Sequence, residues 1–277
     1  MSVLLRRWLA RSSARFGLLM LLVLLAFTLL VPVVSHSDPH RINLEEKLQS
    51  PSGTHLLGTD QYGRDQLVRL ATGGRRSLGA ALLVLAGTLI CSASIGVAVG
   101  MIGGLVDAVV MRLVDVWLAF PSLVLALAIV GVLGVGVQNL MLALIISSCA
   151  YYIRLARSYV RLARERQEVI VARLAGVSWP RIVAGHLVPG VLSQLVVVAT
   201  LDLGGIIIAI AGLSFLGLGV QPPEAEWGAM LSDSRLYFSS APWLLFAPGF
   251  AILLSVISAN VLGNALRDAA DFGNQTT

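Results

Sequence analysis

The sequence holds a single lysine, Lys47, and that shortage removes a large class of functions at once. A nucleotide-binding P-loop, G-x-x-x-x-G-K-[ST], needs its lysine to reach the phosphates. Lys47 stands instead in Leu44-Glu45-Glu46-Lys47, with no glycine-rich turn before it. Charge is scarce as well. Asp, Glu, Lys and Arg make up 13% of the chain, about half of the ~25% usual in soluble domains. An ordinary soluble globular chain is thereby excluded. The two cysteines, Cys91 and Cys149, lie inside apolar runs and in no C-x-x-C spacing. They are read as small apolar packing residues, not as a disulfide or a metal knuckle. Of the four histidines, His36, His40 and His55 share one polar segment, and His186 lies far from them. Their spacing matches no metal site. Neither G-x-S-x-G nor H-E-x-x-H occurs. The chain is therefore read as non-catalytic, with no cofactor and no metal of its own.

What the sequence does have is apolar length. Hydrophobic residues make up 57% of its 277 positions, and the mean hydropathy is +0.85. A helix that crosses a bilayer takes about 20 predominantly apolar residues. Six runs qualify, at roughly 16–34, 78–102, 117–135, 140–158, 190–219 and 243–264. The first follows Arg6, Arg7, Arg11 and Arg15 and so has the basic front of a signal peptide. It is too long for an h-region and no A-x-A site follows it, so an uncleaved helix is expected. Gly204, Gly205, Gly212, Gly217 and Gly219 predict a kink or an early end in the fifth run. Gly96, Gly100, Gly103 and Gly104 suit close helix approach in lipid, where packing drives association. The predicted fold is all-α, a polytopic membrane protein with six transmembrane helices.

Six spans place both termini on one side. That side holds Arg6, Arg7, Arg11, Arg15, Arg112, Arg267 and seven arginines between residues 154 and 181, against seven basic residues on the other. The positive-inside rule then predicts that both termini are cytoplasmic. Arginines at the ends of apolar runs are orientation signals, so the net charge of +5 does not point to nucleic acid. The expected organisation is a cytoplasmic N-terminus and first helix over 1–34, and a periplasmic or interfacial segment over 35–76. A core of five helices follows over 77–277, with a cytoplasmic loop at about 159–189. The loop at 221–242 is expected outside, with Trp227 as an interfacial anchor.

The cytoplasmic loop carries a pattern of its own. Val169, Val171, Ala172, Leu174 and Ala175 give one apolar side to a short helix. Gly176 breaks it, Pro180 suits the first turn of a second helix, and Pro189 precedes the next span. Such a helix–glycine–helix can fill a groove on a soluble partner, with flanking arginines such as Arg173 holding the register.

Gly176 and, thirteen residues on, Pro189 resemble the EAA motif of ABC importer permeases, with Ile170-Val171-Ala172 at the position of the naming tripeptide. Other segments match the permeases of dipeptide, oligopeptide and nickel importers. His55-Leu56-Leu57-Gly58-Thr59-Asp60-Gln61-Tyr62-Gly63-Arg64-Asp65 resembles their H-x-L-G-T-D-x-x-G-R-D signature. Gly103-Gly104, Asp107, Met111-Arg112, Asp115 and Ala119-Phe120-Pro121 are similar to the family's connection between second and third spans. Leu213-Ser214-Phe215-Leu216-Gly217-Leu218-Gly219 is similar to the run that ends its fifth span. The resemblance implies a bacterial inner-membrane permease subunit that forms the pathway with a second permease. Two ATPase subunits, which bind ATP and Mg, would grip the cytoplasmic loops. A periplasmic or lipid-anchored binding protein would deliver the solute. Ile170, Val171, Ala172, Arg173, Gly176 and Pro189 would then couple the chain to the ATPases. Gly58, Thr59, Asp60, Gly63, Arg64 and Asp65 are read as structural, by turn formation, pairing and capping. Asp107, Arg112 and Asp115 are read as bracing the inner ends of the second and third spans.

Asp202 is the one carboxylate inside a span, and an intramembrane carboxylate is costly unless it is paired, protonated or facing water. It either lines the pathway and favours a cationic or metal-bearing solute, or accepts hydrogen bonds from a neighbouring helix of the partner permease. Peptide permeases of the family usually carry a Glu shortly before L-S-F-L-G-L-G, where this chain has Ile210-Ala211-Gly212. The resemblance therefore leans to nickel or a metal–chelator complex, with dipeptides or oligopeptides as the alternative. A secondary transporter should show inverted repeats, and none is visible. A purely structural membrane subunit is the other rival.

Overall fold

The computed structural model describes Trp8, residues 11–35 and residues 37–274, the last five as backbone only. Arg6, Arg7 and His36 lie outside the described residues. Among the described residues the fold is all-helical, and its one β-bridge pairs Thr59 with Asp65. The helices are α1 (Ser12–Val34), α2 (Gln66–Ile102), α3 (Gly104–Leu118), α4 (Ser122–Leu133), α5 (Val137–Arg164), α6 (Gln167–Leu174), α7 (Trp179–Ile182), α8 (Val188–Phe215), α9 (Trp227–Ser234) and α10 (Trp243–Asn274). Among the described residues, five stretches are long and apolar enough to cross a membrane: α1, α2, α5, Trp179–Phe215 and Trp243–Ala269.

The third expected span differs from its reading at 117–135. It is a broken pair, α3 and α4, bent by 94°. Pro121 has no N–H to give and pushes Phe120 away from the α region, so α3 ends just before it. The 12 residues of α4 reach only ~18 Å, short of the ~30 Å hydrocarbon core, so a sixth crossing takes α3 and α4 together as one broken span. The fifth span also starts earlier than expected. Pro189 does not precede it but lies inside it, just after a π-helical turn at Val183–Leu187 that joins α7 to α8. A proline in a regular helix would clash with the carbonyl four residues back. The π turn widens the backbone there, and the Val188 N–H bonds back to the Val183 carbonyl.

The chain forms two compact units. The first comprises Met1–Leu83, Val130–Met141 and Thr200–Thr277. In it α1 runs antiparallel to α10. Arg11 pairs with Asp268 at one end, and the Ser258 hydroxyl donates to the Gly17 carbonyl at 2.9 Å. The segment between α1 and α2 folds as a clasp built on the signature residues. Asp60 Oδ1 accepts from the Tyr62 and Arg64 N–H groups, and Oδ2 accepts from Arg64 Nε at 2.6 Å. Asp65 accepts from the Val68 N–H at the start of α2 and meets His55 Nδ1 at 2.8 Å. Thr59 accepts from the Gln49 N–H and donates to the Glu46 carbonyl. Gly58 and Gly63 both hold φ of +72°, and a Cβ on Gly63 would overlap the Asn43 carbonyl. Arg69, 2% exposed, stands 3.3 Å from Asp60 and donates to the Pro39 and Pro223 carbonyls. These are turns, caps and a buried ion pair, each of which satisfies a polar group taken out of water.

Trp227 corrects its reading as an interfacial anchor. It is fully buried at the start of α9, and its indole N–H donates to the Leu70 carbonyl at 2.9 Å. Glu226 caps α9 by accepting from the Ala229 N–H, and it also accepts from the Ser77 hydroxyl. The half-buried Asp233 lies across a small polar cavity from Asp60 and Arg69. Burial pushes its carboxyl above the ordinary carboxylate range, against the pull of Arg69 and Arg64.

The second unit comprises Val84–Ile129 and Leu142–Ala199. Its core joins Ala93 and Val97 of α2, Tyr152, Ala156 and Val160 of α5, Val169 of α6, Ile182 of α7, and Val191 and Leu195 of α8. Gly96 and Gly100, one turn apart, let α2 lie directly on α5. A Cβ at Gly96 would stand 2.5 Å from Ala156 Cβ, and one at Gly100 would stand 2.9 Å from Val160 Cβ. Small residues at such contacts are the usual basis of helix association in lipid. A Gly96→Leu substitution should therefore lower the thermal midpoint of the purified protein, with a cost of about 1–3 kcal/mol from overpacking. Gly79 has open space around it, and Gly79→Ala should be neutral or stabilising by up to about 1 kcal/mol. Equal midpoints for the two variants in detergent would refute the close α2–α5 contact.

Candidate functional site

The segment from the end of α5 to the start of α8 forms two short helices around a glycine. Gly176 follows α6 with φ of +79°, in the left-handed region. Its N–H bonds to the Arg173 carbonyl, and the Val177 N–H reaches back to the Ala172 carbonyl, both at 3.0 Å. This pair of bonds is a Schellman motif, which closes a helix only if the turning residue tolerates positive φ. Nothing crowds Gly176, so its role is conformational. Ser178 then opens α7 with Pro180 in its first turn.

The apolar residues of α6 do not share one side, which corrects the expectation. Val169 is 3% exposed and enters the core of the second unit, with Ala172 packed against it. Ile170, Val171 and Leu174 point outward at 46%, 63% and 83% exposure. One face of α6 thus holds the helix to its own unit, and the other offers apolar surface. Arg173 and Pro189 are exposed as well.

Arginine–aromatic stacks fix the segment from above. Arg173 lies over the Trp179 ring at 4.6 Å, and Arg164 lies over the same ring at 5.3 Å. Arg166 lies over Tyr159 at 5.4 Å. Arg164 also donates to the Gly100 and Met101 carbonyls at the end of α2, at 3.0 and 3.1 Å. Next to these, α3 is tied to α5 by charge. Arg157 forms a fork onto both oxygens of Asp107, Arg161 approaches Asp107 at 3.5 Å, and Arg154 pairs with Asp115. Asp107 and Asp115 thus brace α3 against the fourth span and not the second against the third, and Arg112 is exposed beside them. Sequence reasoning treated these arginines as orientation signals only. The signal for their pairing lies in their spacing. Arg154, Arg157, Arg161 and Arg164 recur every three or four residues, and Asp107 and Asp115 stand eight apart, so each set lies on one helix face.

Asp202 stands on the exposed side of α8, in the first unit. Two residues on, Gly204 faces Asn260 of α10, whose Oδ1 would lie 2.9 Å from an added Cβ. The same helix ends in a second Schellman motif within Leu213–Gly219. Gly217 has φ of +83°, its N–H bonds to the Ser214 carbonyl, and the Leu218 N–H bonds to the Leu213 carbonyl. Gly58, Thr59, Asp60, Gly63, Arg64 and Asp65 all belong to the clasp of the first unit. Among the described residues no group of three or more His, Cys, Asp or Glu side chains could hold a metal ion.

Residues 92–273 match the family described as binding-protein-dependent transport system inner membrane component. The chain is 41% identical over 263 residues to the nickel transport system permease protein NikC of Escherichia coli, covering 94% of this chain and 95% of that protein. It is 40% identical over 255 residues to the dipeptide transport system permease protein DppC of Alkalihalophilus pseudofirmus, covering 92% of this chain and 84% of that one. The probable D,D-dipeptide transport system permease protein DdpC of Escherichia coli is 38% identical over 260 residues, with 94% and 86% covered. With the family pattern spanning most of the chain and its signature glycines closing helices, this is a multi-pass permease of the bacterial inner membrane, a member of the binding-protein-dependent transport system inner-membrane component family.

Proposed function

We propose that the chain is one of two permease subunits of an ATP-driven importer, with both termini in the cytoplasm and the α6–Gly176–α7 segment as its contact to the ATPase subunits. The exposed apolar face of α6, Ile170, Val171 and Leu174, carries this reading. It is a helix face on a polar loop that a groove on a soluble protein would bury. Two ATPase subunits bind ATP and Mg, and a periplasmic or lipid-anchored binding protein hands over the solute. ATP binding closes the ATPases and moves α6, and the cavity turns outward; hydrolysis resets it. The chain supplies the pathway and the lever, which is a two-state element biased by a ligand on another subunit. The segment over 35–76 is then periplasmic, with the clasp at its centre.

The solute is nickel or a metal–chelator complex. Asp202 on an exposed side of a membrane helix favours a cationic cargo, and the stretch Ile210-Ala211-Gly212 lacks the acidic residue usual in peptide permeases. The similarity to a dipeptide permease is almost as high as that to a nickel permease, so import of dipeptides or oligopeptides by the same mechanism is the second reading.

Cells with and without the gene should differ in uptake of radiolabelled nickel, with or without a histidine-like chelator, and not in uptake of a labelled dipeptide run in parallel. The reverse pattern would make the chain a peptide permease. Charging the outer face of α6 with Val171→Asp and Leu174→Asp together should leave the permease in the membrane and remove the ATPase subunits from its affinity-purified complex. Gly176→Leu should cut uptake about five- to thirtyfold, since a bulky residue at positive φ costs ~1–2 kcal/mol in the state that must form. Normal uptake by Gly176→Leu, or ATPase subunits retained on the doubly charged α6, would remove the coupling role.

A further inference from the structure

We propose that Arg164 and Trp179 are positioning residues that pass movement of the α6–α7 segment to the inner end of α2. The inference rests on the coupling role proposed above and names the route inside this chain. The route is continuous. Arg173, on the helix whose outer face is exposed, lies over one indole, that of Trp179, at 4.6 Å. The same indole carries Arg164 at 5.3 Å. Arg164 in turn holds the Gly100 and Met101 carbonyls, two of the last four of α2, which have no partner inside their own helix. Immediately beyond stand Gly103 and Gly104, at φ of +68° and +58°, where α2 turns into α3 with open space at both positions.

Anchoring alone does not require this arrangement. Val169, Ile182 and Leu187 already bury the segment in the core of the second unit. Two guanidinium groups drawn to one ring repel each other, and an apolar side chain would fill the site without that cost. What the two cation–π contacts on one ring provide is a link that holds while Trp179 tilts. A guanidinium keeps its attraction to an indole face as the ring tilts, while one terminal nitrogen of Arg164, Nη1, stays fixed on both α2 carbonyls. A shift of α6 is then handed to the Gly103-Gly104 turn without breaking a hydrogen bond.

The test uses the full transporter, purified through a tag on this chain with its ATPase and second permease subunits. It is reconstituted in proteoliposomes with the binding protein and with nickel or a dipeptide, whichever the uptake assay selects. Uptake and ATP hydrolysis are measured on the same sample. Trp179→Leu, which keeps apolar bulk and removes the aromatic face, should lower uptake per ATP hydrolysed about fivefold. Trp179→Phe should restore most of that ratio. Arg164→Lys, which keeps the charge and loses the planar guanidinium over the ring, should also lower it. If Trp179→Leu fails to reach the membrane, Trp179→Phe and Arg164→Lys read the same ratio. An unchanged ratio in Trp179→Leu or Arg164→Lys, or a proportional fall in uptake and hydrolysis, would overturn the proposal. The charged α6 variant separates the two ideas. Retained ATPase subunits there would remove the coupling reading itself, whereas their loss beside a normal ratio in Trp179→Leu would remove only the route.

Discussion

Every backbone amide and carbonyl that this chain takes into the bilayer must find its partner within protein, because hydrocarbon offers none. That constraint explains the features that set its signature residues apart. A helix that ends in lipid must use up its last carbonyls, and Gly217 does this in a Schellman turn; Gly176 closes the exposed loop helix α6 in the same way. The end of α2 is closed differently, by Arg164 donating to Gly100 and Met101. Where Pro189 threatens a carbonyl inside the fifth span, a π turn absorbs the conflict. Where Pro121 cannot be absorbed, the span breaks into two helices bent by 94°.

Charges obey the same rule at higher stakes. Asp107 is matched to Arg157 and Arg161, and Asp115 to Arg154, so α3 is fastened to α5 by one fork and two single contacts. In the clasp, Asp60 shares its oxygens among two backbone N–H groups and two arginines. The buried pairs, Asp60 with Arg64 and Arg69 and Asp107 with Arg157, add little stability over a good apolar core but are costly to break once one partner is gone, whereas Asp115–Arg154 is exposed and adds little. They determine which helix lies beside which. The glycines at 96 and 100 then let α2 and α5 meet at backbone distance. A tightly joined α2–α5 pair, with a glycine turn at its end and the α6–α7 segment packed on it, suits the proposed role of a subunit moved from outside by its partners.

How far the sequence disclosed this depended on whether a feature was local. The apolar runs, the glycine break at 176 and the turn chemistry of Gly58 and Gly63 depend on a few neighbouring residues, and they were legible. Trp227 was not. An indole in a polar loop reads as an interfacial anchor until the start of α2 is seen to offer the Leu70 carbonyl and a buried slot. The split faces of α6 were hidden for a similar reason, since Val169 and Val171 are equally apolar and only the core of the second unit distinguishes them. Residues 117–135 read as one apolar run although Pro121 lies among them, because hydropathy alone does not register a proline's direction change. The role of Arg164 was masked by the positive-inside signal, which accounts for arginines without asking what they bond.

The account turns on which side of the membrane carries the α6–Gly176–α7 lever. The most direct measurement is labelling with a membrane-impermeant maleimide in intact and in permeabilised cells, in a background where Cys91 and Cys149 are replaced by Ser. Single cysteines would be placed at Leu174 and, for comparison, at Leu56 of the clasp, both highly exposed. The Leu174→Cys protein, expressed without the ATPase subunits that would cover it, should label only after permeabilisation and the Leu56→Cys protein in intact cells. Labelling of Leu174→Cys from outside would place the lever beyond the reach of any cytoplasmic ATPase and contradict the account.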